Sequence, residues 1–459
     1  MNPHLDQALH SIRASSSRYA RFERYYRGDH DLAFATEKFQ TAFGSLFREF
    51  ALNLCPAICD AIVDKLKDTG FSWNADAPVR TSEDHASPDV ARAAARIWHL
   101  NRMPIRSDAV HLEAVLNGDA YVVVWPAPDG RPVIYPQRAS SCIAVYDDEM
   151  PGVIRWGAKH WHSSDGRTRL NLLYPDRIEK YVSRHRVDDR FLSANDPAGI
   201  QTGAGSTVTT LPVSASSFEL ASVIANPYGV VPLFHFANGP GIGSFGRSEL
   251  LHAIPIQNGL NKAVLDMLVA MEFSAYRQRW VTGMHFDTDE DTGRTIEPFR
   301  TGVDRIWIAP ETGARFGDFG TTDLDQFLLV KDSFRVDMAS VTGTPLHYFL
   351  QNIRGFASGE SIRKSEGRFL AKVRDRQTSF GHVWAEVVSF ALQIAGLAPA
   401  IELAVQWEDP APVAEREFLE NIILKKRIGI TTGQALKEAG YGDTHVTEMI
   451  DPDRQKHDR

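Results

Sequence analysis

A chain of 459 residues, 43% hydrophobic and 24% charged, is ordinary for a globular protein and long enough for two or three domains with a sizeable core. Its 50 basic against 58 acidic residues leave a net charge of −8, which excludes a polycation that neutralises nucleic-acid phosphates along its whole length. Three cysteines, Cys55, Cys59 and Cys142, are too few and too odd in number for a disulfide framework.

The opening residues MNPHLDQALHSIRAS hold no apolar run of the kind a secretory signal needs, so a soluble chain of cytosolic type is expected. Leu5, Leu9, Ile12, Tyr19, Phe22 and Tyr26 recur at helical spacing and predict a helix over 4–27, stopped at Gly28. A second helical stretch is expected over about 45–67, bent or restarted at Pro56 and ending at Thr69-Gly70. Cys55 and Cys59 share its apolar face, and with no second Cys/His pair nearby they read as buried thiols rather than zinc ligands. Two further helices are predicted at 88–100 and 104–117, the second closed by Asn117-Gly118-Asp119.

From 120 to about 187 the pattern changes to short β-branched and aromatic runs punctuated by Pro-Asp-Gly and Ser-Asp-Gly, which predicts an antiparallel sheet or sandwich. Residues 190–222, rich in Gly, Ser and Thr, read as a long exposed loop or irregular hairpin. After a strand at 230–236 and a Gly-rich loop, a long helix is expected over 248–277, with Ile256, Leu260, Val264, Met267, Leu268 and Met271 on one face and Pro255 as a kink or a start. Residues 278–320 return to strands and turns. A helix follows from Thr322 as N-cap, with Asp325 at N3, to Thr342. The longest helix spans 359–396, carrying Phe369, Val373, Phe380, Trp384, Val387 and Ala391, and a strand at 401–407 and short helices at 412–427, 432–439 and 444–450 complete the pattern. Its most apolar run, 387–397, is far short of the ~20 residues a membrane span needs.

Chemistry-bearing motifs are few. Gly241-Ile-Gly243-Ser-Phe-Gly246 stands between a strand and a helix, as a dinucleotide fingerprint would. The helix after it is long, however, and Asp266, at the distance where the ribose-binding acid belongs, lies inside that helix. A rigid turn is the better reading. The acidic run DTDEDTG at 287–293 has Thr292 where a calcium loop requires Gly and Pro298 where it requires Glu, so it reads as a solvated hairpin tip. His160 and His162 share one face of a strand without a third ligand and read as an exposed polar face. Arg363, Lys364, Arg368, Lys372, Arg374 and Arg376 against Glu360, Glu366 and Asp375 form a solvated or subunit-pairing helix face. No catalytic residue, metal site or cofactor is expected.

Six segments occur in an order that resembles the portal proteins of tailed bacteriophages, the head-to-tail connectors of siphophage type. They are RFERYYRGDHDLAF (21–34), NLCPAICDAIVDKLKDTGF (53–71), VVPLFHFANGPGIGSFGRSEL (230–250), GTPLHYF (343–349), SGESIRKSE (358–366) and FGHVWAEVVSFAL (380–392). The resemblance implies an α+β subunit with a mixed wing over 1–247 and stem helices over 248–277 and 322–342 flanking a small β-containing clip at 278–321. It further implies a tunnel loop at 343–358, a long wing-to-crown helix and returning wing strand over 359–408, and a short helical crown over 409–459. Such proteins form rings, usually of twelve subunits, around a channel for double-stranded DNA at one capsid vertex of the virion, assembled in the host cytoplasm. They dock the terminase and later the head-completion or adaptor proteins, within a shell of major capsid or scaffold protein, with no membrane involved. On that plan His347, Tyr348, Gln351, Asn352 and Arg354 offer weak contacts to passing DNA. The alternative is that Leu346, Tyr348 and Phe349 pack under the wing and only 350–357 is exposed. Other readings of the whole chain are a minor head or DNA-binding protein without a channel, and a nucleotide-binding enzyme using Gly241–Gly246.

Overall fold

The computed structural model describes residues 2–31, 52–73, 87–186, 214–242, 245–275, 279–283, 313–318, 324–350, 359–397, 403–411 and 415–438. The chain divides into two compact units, residues 1–23, 56–251 and 343–459 in one, residues 24–55 and 252–342 in the other. The class is α+β, and among the described residues no helix is long and apolar enough to cross a membrane.

Helix α1 (Pro3–Arg27) ends at Gly28, whose φ of 90° is a conformation glycine adopts without steric cost. Helix α2 (Cys55–Val63) starts afresh with Pro56 in its first turn and ends four residues before the expected 67, ahead of strand β1 (Asp68–Trp73); positions 45–51 of the expected helix lie outside the described residues. Gly70, expected as a helix stop, sits at a register shift in that strand. Cys55, Cys59 and Cys142 are buried thiols. Helices α3 (Ser87–Leu100) and α4 (Met103–Asn117) follow, and Gly118 at φ 93° closes α4 by donating to Ala114 O.

The expected antiparallel strands form two sheets. Strands β2 (Asp119–Pro126) and β3 (Pro132–Gln137) pair with β9 (Leu233–Ala237) in the order β3-β2-β9. Strands β4 (Cys142–Tyr146), β5 (Ile154–His162), β6 (Arg167–Leu173), β7 (Arg177–Arg186) and β8 (Phe218–Ala225) form the second sheet in sequence order. Strand β8 corrects the expectation of a loop through 222: an edge strand with one buried anchor, Phe218, displays too little apolar alternation to stand out. Alternate residues of the five-stranded sheet serve two cores. Trp156, Ala158, Leu170 and Leu172 pack against Leu5, Leu9 and Ile12 of α1, and Cys142, Ala144, Leu173 and Ile178 against Tyr121 and Leu233 of the smaller sheet. His160 corrects a second expectation. It is buried, not part of an exposed face, with Nδ1 3.2 Å from Ser141 O, and burial lowers its pKa to about 4.

In the second unit, helix α5 (Ala253–Ala275) starts with Pro255 in its first turn, so the proline opens the helix rather than kinking it. Its buried face differs from the expected one. Gln257, Asn258, Leu260, Asn261 and Leu265 are buried, whereas Ile256, Val264, Met267 and Leu268 are half-buried and Met271 exposed. Two of these amides find partners far away in sequence: Tyr25 donates to Asn258 Oδ1 at 2.7 Å, and Gln257 bridges Leu52 O and Leu54 N–H. Strands β10 (Arg279–Thr282) and β11 (Arg315–Asp318) pair antiparallel; the acidic turn 287–293 lies outside the described residues. Helix α6 (Asp325–Thr342) begins at Asp325 rather than carrying it at N3, and Gly259 of α5 allows Phe334 of α6 within van der Waals reach of the α5 backbone.

The chain returns to the first unit with helix α7 (Gly359–Ile394), which lays Phe380, Trp384, Val387, Val388 and Ala391 across α3, α4 and the smaller sheet, and Gly396 at φ 77° ends it. Strand β12 (Leu403–Trp407) pairs antiparallel with β1, and helices α8 (Glu415–Arg427) and α9 (Thr432–Glu438) complete the described chain. The expected helix at 444–450 lies outside the described residues.

Candidate functional site

Three features occupy the positions where chemistry was expected: the Gly-rich loop, the basic face of α7, and the stretch after α6. At the first, the backbones of Gly118 and Gly246 cross. A Cβ on Gly246 would stand 1.8 Å from Gly118 O and 2.5 Å from Asn238 N, so only glycine fits. The Gly246 N–H, the kind of group that would cradle a phosphate, donates instead to Asp119 Oδ1 at 2.8 Å. Asp266 is ion-paired with Lys262 one turn away on α5. Gly246 is therefore part of a close-packed turn.

Asp119 is the hub of that turn. Fully buried, it accepts from Tyr19 Oη at 2.8 Å and His235 Nε2 at 2.9 Å as well as from Gly246, with Arg18 3.4 Å away. His235 Nδ1 lies 2.6 Å from Tyr146 Oη. Burial raises the Tyr146 phenol to about 12, with the Asp119 charge adding to it, and raises Tyr19 in the same direction. Sequence patterning missed this node because its members lie on α1, β2, β4 and β9. The available signal was His235, a single polar residue inside the apolar run VVPLFHF, which needs a partner if the strand is buried.

The basic face of α7 is only partly the solvated or subunit-pairing surface expected. Arg376 Nε donates to Asn238 Oδ1 at 2.5 Å and its Nη2 lies 3.3 Å from Glu249 Oε1; Lys372 pairs with the other Glu249 oxygen. All three ionic side chains are largely buried, so these two cations hold α7 to the segment between β9 and α5 within one subunit. Arg374 is exposed, 3.4 Å from Asp409.

The stretch after α6 begins with Gly343 at φ 69°, in the left-handed region, and Pro345 then prevents helix continuation. Leu346–Tyr348 make one 3-10 turn, with Phe349 N–H donating to Leu346 O at 2.9 Å. Phe349 is buried. His347 Nε2 lies 3.2 Å from Glu366 Oε1 of α7, and the Tyr348 ring packs 5.9 Å from the Phe369 ring. Burial, then the Glu366 charge, raise the Tyr348 pKa. His347 and Tyr348 are thus half-buried against α7. Gln351, Asn352 and Arg354 lie outside the described residues.

The profile of the family described as "Phage portal protein, SPP1 Gp6-like" matches residues 6–438. The portal protein of Mycobacterium phage L5 is 24% identical over 368 residues, covering 74% of this chain and 69% of that one. That of Mycobacterium phage D29 is 25% identical over 372 residues, covering 77% and 70%. Among solved structures, a chain from the neck of an empty gene transfer agent particle superposes with a TM-score of 0.48 at 14% identity, covering 88% of this chain and 94% of that one. A chain from the native particle's neck gives 0.43 at 15% identity, with 78% and 91% covered. With a family match that runs through nearly all of its elements, this chain belongs to the SPP1 Gp6-like family of phage portal proteins.

Proposed function

We propose that the chain is the subunit of a ring, of twelve copies on the family's plan, that encloses a channel for double-stranded DNA at one capsid vertex of a phage virion. The observation that carries this reading is the portal-family match over 6–438. On the family's plan α5 and α6, which lie in one compact unit, would be the two stem helices with a clip between them, 1–247 the wing and 409–459 the crown. Helix α6 leaves Leu328, Leu329, Val330, Val336 and Val341 exposed in a single copy, with Leu329 at 71%, a surface suited to association.

The chemistry required is passage rather than turnover. Each cation paired to a phosphate adds affinity through counterion release, so a conduit of subunits at −8 each holds DNA loosely. The Gly246 amide is not free to cradle a phosphate, because it is committed to Asp119. The proposal therefore assigns no catalytic residue and no cofactor. Terminase, adaptor and capsid or scaffold proteins are the partners such a vertex needs. The tunnel loop 343–358 would present Gln351, Asn352 and Arg354 to the channel, with His347 and Tyr348 at its anchored end.

Native mass measurement and negative-stain imaging of the purified chain test the reading. Closed rings of about a dozen subunits are expected on the family's plan. A monomer or dimer that binds DNA without a channel, or that binds nucleotide, would overturn it.

A further inference from the structure

Two corners of the first compact unit carry opposite charge on rigid turns. At the α3–α4 junction Arg102 holds φ 55° and ψ 32°, the one non-glycine residue with positive φ among the described residues. Around it, Met103 is fully buried, and Asn101 bonds Ile97 O, Pro132 O and Ile134 N–H, which fixes the corner to β3. The same turn throws Leu100 and Ile105 outward, at 64% and 78% exposure. Arg96 and Arg102 are exposed and have no ion-pair partner among the described residues.

At the β4–β5 turn, Asp147 Oδ1 accepts from the Glu149 and Met150 N–H groups at 2.9 and 3.0 Å, and Asp147 N–H donates to Val153 O at 2.8 Å. This closed turn displays Met150 and Val153 at 56% and 50% exposure. Asp148 and Glu149 carry no counterion among the described residues. Single exposed apolar residues are commonplace. Two of them beside two unneutralised like charges, on each of two turns of opposite sign, is a different situation.

We propose that these turns are the two halves of one contact between copies of this chain, the acidic Met150 turn of one subunit seating on the basic Ile105 corner of the next. The inference rests on the ring reading and names residues for it. A closed ring requires a heterologous interface, in which two different patches of the same chain meet. Exposed ion pairs add only roughly 0–1 kcal/mol each, so the four charges set register, while the four apolar side chains supply the buried area. Pairing corner with corner, or turn with turn, would oppose like charges, which rejects the isologous alternatives. The contact is an anchor within a larger interface, since a specific one buries on the order of 1,000 Å² or more.

The test joins Ile105→Cys and Met150→Cys in the full chain and treats it with a short bis-maleimide; the native cysteines are buried and contribute little background. The double variant should give a ladder of covalent oligomers, and each single variant none. In parallel, Arg96→Glu with Arg102→Glu, or Asp148→Arg with Glu149→Arg, should each raise the concentration for half-assembly about tenfold, ~1.4 kcal/mol. Combining the two pairs should restore assembly, with monomer unfolding temperature unchanged throughout. Rings that form without a ladder and ignore the reversals overturn this contact and leave the ring reading standing. Dimers from either single cysteine variant show a homotypic contact and also overturn it. A wild-type chain that forms no ring overturns both.

Discussion

At the scale of single residues, the first compact unit turns on Asp119 and Gly246. The buried Asp119 carboxylate accepts from Tyr19, Arg18, His235 and Gly246 and so uses both oxygens fully, which means Asp119→Asn must point an N–H₂ at a donor. That leaves at least one buried group unsatisfied, and a loss of about 2–4 kcal/mol is expected in urea denaturation of the subunit. Gly246→Ala acts through space instead. Its methyl would overlap the Gly118 carbonyl, which is backbone and cannot step aside, so the turn must open and release the Asp119 bond. A loss exceeding ~3 kcal/mol is expected, at the severe end for point substitutions. A Gly246→Ala subunit as stable as wild type would show that the crossing is looser than the geometry states. The sequence pointed to a rigid turn here and offered His235 as a buried polar residue in need of a partner, but the residue that gives Gly246 its purpose, Asp119, lies 127 positions earlier.

At the scale of elements, helical periodicity located α1, α3, α4 and α7 closely, because each buries a long stripe whose spacing is local. The short strands were harder. Strand β1 pairs with β12 through Phe71↔Val405, a contact more than three hundred residues apart that no window can sense. The face of α5 was mistaken for a related reason: its buried positions hold amides whose partners, Tyr25 and Leu52–Leu54, come from elsewhere in the chain. Between α4 and α7 the fold carries a pH-sensitive join. The Trp384 indole N–H can only donate, so His111 Nε2, 2.8 Å away, must accept and the ring must be neutral. Burial, with a smaller contribution from the Lys67 charge, lowers the His111 pKa to about 3. The unfolded chain takes up this proton near pH 6.5, whereas the native one does so only near 3, so between these values the unfolded state binds more protons. Stability from this group is therefore complete above pH 6.5 and falls by about 1.4 kcal/mol per unit below it. His160 adds the same slope down to about 4. His111→Gln keeps an acceptor for Trp384 and removes one slope. Urea titrations at pH 7 and pH 5 should show wild type losing roughly 2 kcal/mol more than the variant; equal losses would mean that His111 is protonated in the native state.

At the scale of the whole molecule, the question is how a subunit with a net charge of −8 handles a polyanion. Binding strength scales with the number of phosphates paired, so the loop 343–358, with Arg354 as its one Lys or Arg, is suited to brief contact and poorly suited to grip. Its ends are built to stay put. Gly343 and Pro345 stop α6, Phe349 is buried, and His347 and Tyr348 lean on Glu366 and Phe369 of α7. Under the proposed function the DNA contacts would therefore fall to Gln351, Asn352 and Arg354 rather than to these anchored residues. Replacing 350–355 by glycines leaves both anchors in place, so ring formation should match wild type in negative stain. DNA packaged per head should fall severalfold, because the contacts the proposed function assigns to Gln351, Asn352 and Arg354 would be lost. Arg354→Ala alone should give a smaller deficit that shrinks further as salt is raised, as expected when one phosphate contact per subunit is removed. Normal packaging by the glycine variant would place the loop outside the DNA path and overturn the tunnel-loop assignment.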